Sequence, residues 1–224
     1  CSKSSNPHWK GTAQGMRYIQ KRPTPASLGQ FMEQYKKRTG EKPNYRTLSL
    51  RPYRKVKEKV KESLLKEQYG LCCYCMKRID RHNSHIEHFR PQSKYPDLVL
   101  DYTNMLVSCN GLTEEYENCG HKKADFAEEE SLVSPLDPEC ASHFAYSVSG
   151  EIIPLDTQAF ETISLLNLDS YLLTEARKAA IEWSGLFDDD FEEKKEDLIR
   201  LYQTPYKGRL EAFCEAVIYC LQHE

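Results

Sequence analysis

The sequence predicts an α+β protein, mostly helical, built around a small metal-centred module with a helical region after it. Three observations carry that expectation. Helical periodicity marks both flanks of the chain. The stretch 71–125 breaks it with poor periodicity and frequent turn signals. That same stretch holds five of the nine cysteines and four of the seven histidines. A chain of 224 residues is long enough for one well-filled core, or for a small catalytic module with a helical companion.

The elements follow in order. Met16-Arg17-Tyr18-Ile19-Gln20 reads like a natural start, so residues 1–15 are expected to be upstream or non-native sequence and are assigned no function. Residues 16–70 form an N-terminal helical region. Its first helix spans 25–39: Pro25 suits a first turn, Leu28, Phe31, Met32 and Tyr35 make an apolar stripe, and Gly40 stops it. Its second helix spans 52–69, with Val56, Val60, Leu64 and Leu65 inward, lysines on the other faces and Gly70 as the C-terminal cap. Residues 71–126 are the metal-centred core. Residues 127–224 begin with a polar loop over 127–142 that holds Glu128, Glu129 and Glu130. A β-hairpin is predicted over 143–154, turning at Ser149-Gly150. From 157 onward the period is helical. One face gathers Leu172, Ala176, Ala179, Ala180, Trp183 and Phe187, another Leu210, Phe213, Cys214, Val217, Ile218 and Leu221, and both are read as core.

Composition narrows the class. No apolar run approaches the ~20 residues of a membrane span, and no basic start leads into an apolar stretch of a secretion signal. A cytoplasmic globular protein is expected. Cysteines clustered with histidines, without a secretion signal, favour a metal over a disulfide framework. The net charge of −3 conceals a division. Residues 1–125 carry 24 Lys and Arg against 13 Asp and Glu, whereas residues 126–224 carry 7 against 21. A basic half suits a polyanion, whose phosphates it neutralises with release of counterions; an acidic half repels it.

Cys72 and Cys75 form a C-x-x-C, a spacing that lets a tight turn present two thiolates to one tetrahedral zinc. Cys109 and Cys119 are the second pair, separated by an excursion over 111–118. Cys73, which makes a C-x-C with Cys75, is the alternative to Cys72. Cys1, Cys140, Cys214 and Cys220 lack a partner spacing and are read as bystanders.

Between the two pairs lies His85-Ile86-Glu87-His88-Phe89-Arg90-Pro91. A strand ending at His88 would turn adjacent side chains to opposite sides, so that one of the two can bind a metal while the other addresses a water. His85 shares the face of Glu87, and the sequence leaves open whether it is a further ligand or supports one. Asp101-Tyr102-Thr103-Asn104 follows, then Cys109, and after Cys119 comes Gly120-His121-Lys122-Lys123 at the start of a short helix.

The combined pattern over residues 72–125 resembles the HNH nuclease motif in the version stapled by four zinc-binding cysteines. The resemblance implies a ββα-metal (HNH, His-Me finger) core with structural zinc and a catalytic Mg²⁺ or Mn²⁺. Within it Glu87 stands at the first ligand of the catalytic ion, His88 at the general base, Asn104 at the residue that bonds the backbone and orients the base, and His121 at the final ligand. One part departs from the common form. Cys-Gly-His-Lys-Lys replaces Cys-Asn-x-x-Lys, after a longer excursion, so Asn118 is the alternative to His121. Cys-Cys-Tyr-Cys, His-Ile-Glu-His-Phe-Arg-Pro, the Met16 start and Leu165-Leu166-Asn167-Leu168 together resemble the PtuB-like HNH family of Septu and retron-linked anti-phage systems. That narrower likeness implies a defence effector with a PtuA-like ATPase partner and, in the retron versions, a reverse transcriptase with its DNA product.

The chemistry agrees. Phosphodiester hydrolysis needs an activated water, neutralised charge on the non-bridging oxygens and help for the leaving oxygen, and one divalent ion can supply the last two. An imidazole titrates near neutrality and can take the water's proton. Arg90, Lys94, Lys122 and Lys123, with Lys55 and Lys59 on the second helix, are candidates to hold DNA or RNA phosphates. The competing reading is a non-catalytic, zinc-stabilised nucleic-acid-binding or adaptor module, which would have no need of an ionisable base beside a carboxylate ligand.

Overall fold

The fold is that of a computed structural model, which describes residues 15–111, 117–126 and 131–224. Cys1, most of the 111–118 excursion and the acidic run Glu128, Glu129 and Glu130 lie outside the described residues. Helix α1 (Ala26–Thr39) ends at Gly40, whose left-handed backbone (φ 75°) returns its N–H to the Lys36 carbonyl. Leu28 and Phe31 are buried. A short helix that the periodicity does not announce, α2 (Tyr45–Leu48), is held by a capping box between Asn44 and Thr47. Helix α3 (Arg54–Glu67) follows a 3₁₀ turn and buries Val60 and Leu64, with Val56 and Leu65 packed at the margin.

Strand β1 (Ser84–His88) pairs antiparallel with β2 (Met105–Cys109), from Ser84 opposite Cys109 to His88 opposite Met105. Neither strand alternates between buried and exposed positions. All of β2 is buried, and so is all of β1 except half-buried His85. The cause is double coverage: α3 and the short helix α4 (Cys119–Lys123) both pack on β2. Polar side chains in this sandwich are therefore dry, and each needs a partner.

The predicted hairpin is present as β3 (Phe144–Tyr146) and β4 (Ile152–Pro154). Gly150 turns it at φ +83°, and a Cβ there would stand 2.3 Å from the Thr174 carbonyl. Glycine is thus required both by conformation and by the close approach of the next helices. Those are α5 (Thr157–Leu166), capped by the Asp156 carboxylate on the Ala159 N–H, then α6 (Tyr171–Glu182), α7 (Phe191–Gln203) and α8 (Cys214–His223).

The face expected to bury α6 is only partly right: Ala176 and Ala180 pack at the margin of the core, but its larger residues do not. Trp183 is 87 % exposed and Phe187 61 %, and Leu172 is exposed too. The buried residues are Leu173, Arg177 and Ile181. Arg177 explains the rotation. Its Nε donates to the Gly150 carbonyl at 2.6 Å and its Nη1 to the Leu168 carbonyl at 2.9 Å. A guanidinium with its donors satisfied can occupy a core position that a pattern of apolar residues assigns to solvent. The other predicted stripe is buried as expected, from Leu210 through Leu221.

One continuous core runs from Met16 to Leu221, so the N-terminal, central and C-terminal segments are packed on one another. The segment after Gly15 is tied to α8 by an Arg17–Glu215 ion pair and to the middle of the chain by Ile19 N–H on the Pro135 carbonyl at 2.8 Å. No described helix is long and apolar enough to cross a membrane.

Candidate active site

Four buried thiols, Cys72, Cys75, Cys109 and Cys119, bring their sulfurs within 4.8 Å of one another, and they are free cysteines. Among the described residues no other group of three or more His, Cys, Asp and Glu side chains converges in this way. Cys73 stands outside the group. Its backbone N–H bonds the Val107 carbonyl, and burial pushes its thiol well up. The turn is set by Met76 N–H on the Cys72 carbonyl and by Cys72 N–H on the Lys77 carbonyl. The Gln68 amide stitches it to β2, donating to the Leu71 and Val107 carbonyls and accepting from Val107 N–H. Cys109 N–H also points at the Cys72 sulfur at 3.3 Å. Burial works against ionising Cys72, but the surrounding thiols of Cys109, Cys119, Cys73 and Cys75 hold it well below its usual range. Cys75 and Cys119 are held well above theirs. Four such sulfurs share one small space, and a divalent cation is what allows them to be anionic together.

Beside this cluster β1 and α4 build a second group. His85 Nε2 lies 3.5 Å from Glu87 Oε2, and the His85 ring meets the His121 ring edge-on at 4.5 Å. The strand puts His85 and Glu87 on one face, and α4 brings His121 to it. Gly120 leaves the room: a Cβ there would stand 2.7 Å from both Glu87 Oε2 and His85 Nε2. Glu87 Oε1 is already engaged, accepting from Lys123 Nζ at 2.9 Å and from the Tyr74 hydroxyl at 3.2 Å. The carboxylate therefore turns one oxygen to the fold and the other to His85. His85 Nδ1 faces Asn110 Oδ1 at 3.2 Å. With that oxygen as acceptor Nδ1 carries a proton, and Nε2 is the nitrogen turned to Glu87.

His88 points the other way. Its Nε2 is 3.0 Å from the Val99 carbonyl, an atom that can only accept, so Nε2 carries the proton and Nδ1 is bare. The Gln92 amide meets Nδ1 at 3.2 Å, and Tyr45 stands edge-on to the ring at 4.7 Å. Burial pushes the His88 pKa below the ordinary imidazole value, favouring the neutral form. Asn104 does not touch His88. Its Oδ1 accepts from Arg90 N–H at 2.8 Å and its Nδ2 donates to the Arg90 carbonyl at 3.0 Å, with the Leu98 carbonyl at 3.4 Å. It thereby clamps the two ends of the loop whose Val99 carbonyl receives His88.

The remaining sequence-predicted residues divide. Arg90, Lys94, Lys122, Lys55 and Lys59 are exposed. Lys123 is 2 % exposed, donating to Glu87 and to the His88 carbonyl, and from there it cannot meet a phosphate. Asn118 is buried with its amide on the Cys119 sulfur at 3.4 Å and its Oδ1 without a partner, next to the thiols. Asn110, Tyr45 and Val99 were invisible to motif reasoning. They act through a long-range side-chain contact, a ring edge and a backbone carbonyl, none of which has a residue-spacing signature.

No family model matches the chain. Among characterised sequences it is 30% identical over 161 residues to the predicted HNH endonuclease of retron Vc95 from Vibrio cholerae serotype O1 biovar El Tor, an alignment covering 67% of this chain and 77% of that protein. It is 29% identical over 116 residues to the Septu protein PtuB of Bacillus thuringiensis, covering 49% of this chain and 41% of that protein.

Proposed function

The chain belongs to the PtuB-like family of HNH nucleases from retron and Septu defence systems, and on that premise we propose that it is a metal-dependent endonuclease hydrolysing nucleic-acid phosphodiesters, with His88 as general base. The observation that carries the reading is the opposed pair at the end of β1. Glu87 turns a carboxylate oxygen toward His85, whose ring meets His121, while His88, one residue on, donates from Nε2 to the Val99 carbonyl and is held toward the neutral form by burial.

Each residue then has a task. His88 Nδ1 takes the proton of the attacking water as the Gln92 amide gives way to it. Asn104 holds the loop that presents the Val99 carbonyl. Glu87 and His121, with His85 as a further donor, would hold the catalytic Mg²⁺ or Mn²⁺ in the space left by Gly120. When bound, that ion neutralises the non-bridging oxygens and assists the leaving oxygen. Cys72, Cys75, Cys109 and Cys119 would hold a structural Zn²⁺ that fixes the knuckle against β2 and α4 in a ββα-metal core. Arg90, Lys94, Lys122, Lys55 and Lys59 would meet DNA or RNA phosphates. By analogy with its relatives, the protein works in the cytoplasm as an anti-phage effector beside a PtuA-like ATPase, and in a retron setting beside a reverse transcriptase and its DNA product.

The test is incubation of the purified protein, alone and with its ATPase partner, with plasmid DNA and with total RNA in Mg²⁺, Mn²⁺ or EDTA. Cleavage in the presence of the ion and none in EDTA is expected. Intact substrates in every ion and partner combination would sink the reading.

A further inference from the structure

The cations of α3 continue past the candidate active site to a pocket that the motif does not include. Lys57 Nζ lies 4.6 Å over the Tyr45 ring that abuts His88. One turn on, Lys61 Nζ donates to the Arg81 carbonyl at 2.9 Å and to the Ser84 carbonyl at the far end of β1. Helix α3 thus runs alongside β1, and its end opens on a cavity of about 720 Å³.

Four separate parts of the chain put basic side chains around that cavity. Arg22 comes from the N-terminal segment, Lys66 from α3, Arg81 and His82 from the turn before β1, and Lys207 and Arg209 from the turn before α8. The last two are among the seven Lys and Arg in the acidic half of the chain. Arg209 is positioned rather than loose: its Nε lies 3.3 Å from where a Gly70 Cβ would be, its Nη2 donates to the Ile79 carbonyl at 3.4 Å, and its backbone pairs with Tyr206. The floor is Leu65, Tyr69 and Ile79. Two acids face the cavity, and one, Asp80, is occupied by the N–H groups of His82 and Asn83. Among the described residues Arg22, Lys66 and Lys207 make no ion pair. Five permanent cations against two carboxylates, gathered from distant segments, make a positive patch suited to a polyanion.

We propose that this pocket is a second phosphate site, which grips the nucleic-acid backbone away from the scissile bond. The proposal rests on the nuclease reading for the identity of its polyanion. The apolar floor with Tyr69 gives a sugar or an unstacked base a surface to rest on.

The experiment is fluorescence anisotropy with a labelled 30-base-pair DNA duplex and a labelled RNA hairpin, without divalent ions, in a His88→Ala background. Lys66→Glu/Arg81→Glu/Lys207→Glu is compared with Lys194→Glu/Lys195→Glu/Arg200→Glu, which changes net charge equally on α7. The pocket variant is expected to bind at least one of the two probes about tenfold or more weakly, with a shallower dependence of log K on log salt by about two to three. The α7 variant should bind as the parent does. Lys66→Ala/Lys207→Ala repeats the test without introducing repulsion and should weaken binding in the same direction. Parent-like affinity and slope of the pocket variants on both probes, or equal loss in the α7 variant, would overturn the proposal. Cleavage by the otherwise wild-type protein is scored separately. Its absence with binding lost in the pocket variant would refute the nuclease reading while leaving the phosphate site standing.

Discussion

At the residue scale, the site turns on how two adjacent side chains of β1 are satisfied. Glu87 and His88 were legible in the sequence because a strand must separate neighbours and because an imidazole beside a carboxylate has a recognisable use. Their partners were not legible. Lys123 reads as a surface cation, yet it is buried between Glu87 Oε1 and the His88 carbonyl, at 2.9 Å from each. It holds the carboxylate in place and neutralises part of its charge in a dry site. Lys123→Met should therefore destabilise the protein by about 3 kcal/mol or more, since it leaves a buried carboxylate uncompensated. Urea denaturation checks this, and adding Glu87→Gln to the same chain should restore part of the loss. Wild-type stability of the single variant would show that the pair is not structural. Asn110 illustrates the other limit of sequence reasoning. Its link to His85 spans 25 positions and follows from strand register, Ser84 opposite Cys109, which no motif encodes.

At the scale of elements, helices with an apolar stripe and a glycine stop were read well, and the hairpin was found from Ser149-Gly150. Helix α2 was missed because four residues cannot show a period. The face of α6 was misassigned because Arg177 was counted as surface, although carbonyls of Gly150 and Leu168 satisfy it inside. The knuckle was legible as two cysteine pairs, and the choice between Cys72 and Cys73 needed coordinates. The knuckle, β2 and α4 meet at the four thiols, so a structural ion there links three elements that otherwise share few backbone bonds. Cys109→Ser is expected to lose the metal and unfold this module, because binding free energy at such a site is folding free energy. Elemental analysis should find one zinc per wild-type chain after dialysis, and circular dichroism should report loss of structure in the variant. A folded wild-type protein without zinc would contradict the assignment.

At the scale of the whole molecule, the division of charge was plain in the sequence, but its geometry was not. The basic half and the acidic half share one core, and the acidic half returns Lys207 and Arg209 to the basic side. The C-terminal region is therefore more than an acidic appendage turned away from a polyanion. It supplies α5 against α4 and completes the cavity at the end of α3. Long-range packing of this kind decides which charges gather, and it lies beyond what charge counts can express. The proposed chemistry nevertheless depends on one imidazole, that of His88. Wild-type protein and His88→Ala, matched for melting temperature and zinc content, are compared on plasmid DNA and total RNA with Mg²⁺ or Mn²⁺ and the proposed ATPase partner. The wild type is expected to cleave and the variant to lose roughly a hundredfold or more in rate, whereas cleavage by His88→Ala at the wild-type rate would remove His88 as the general base.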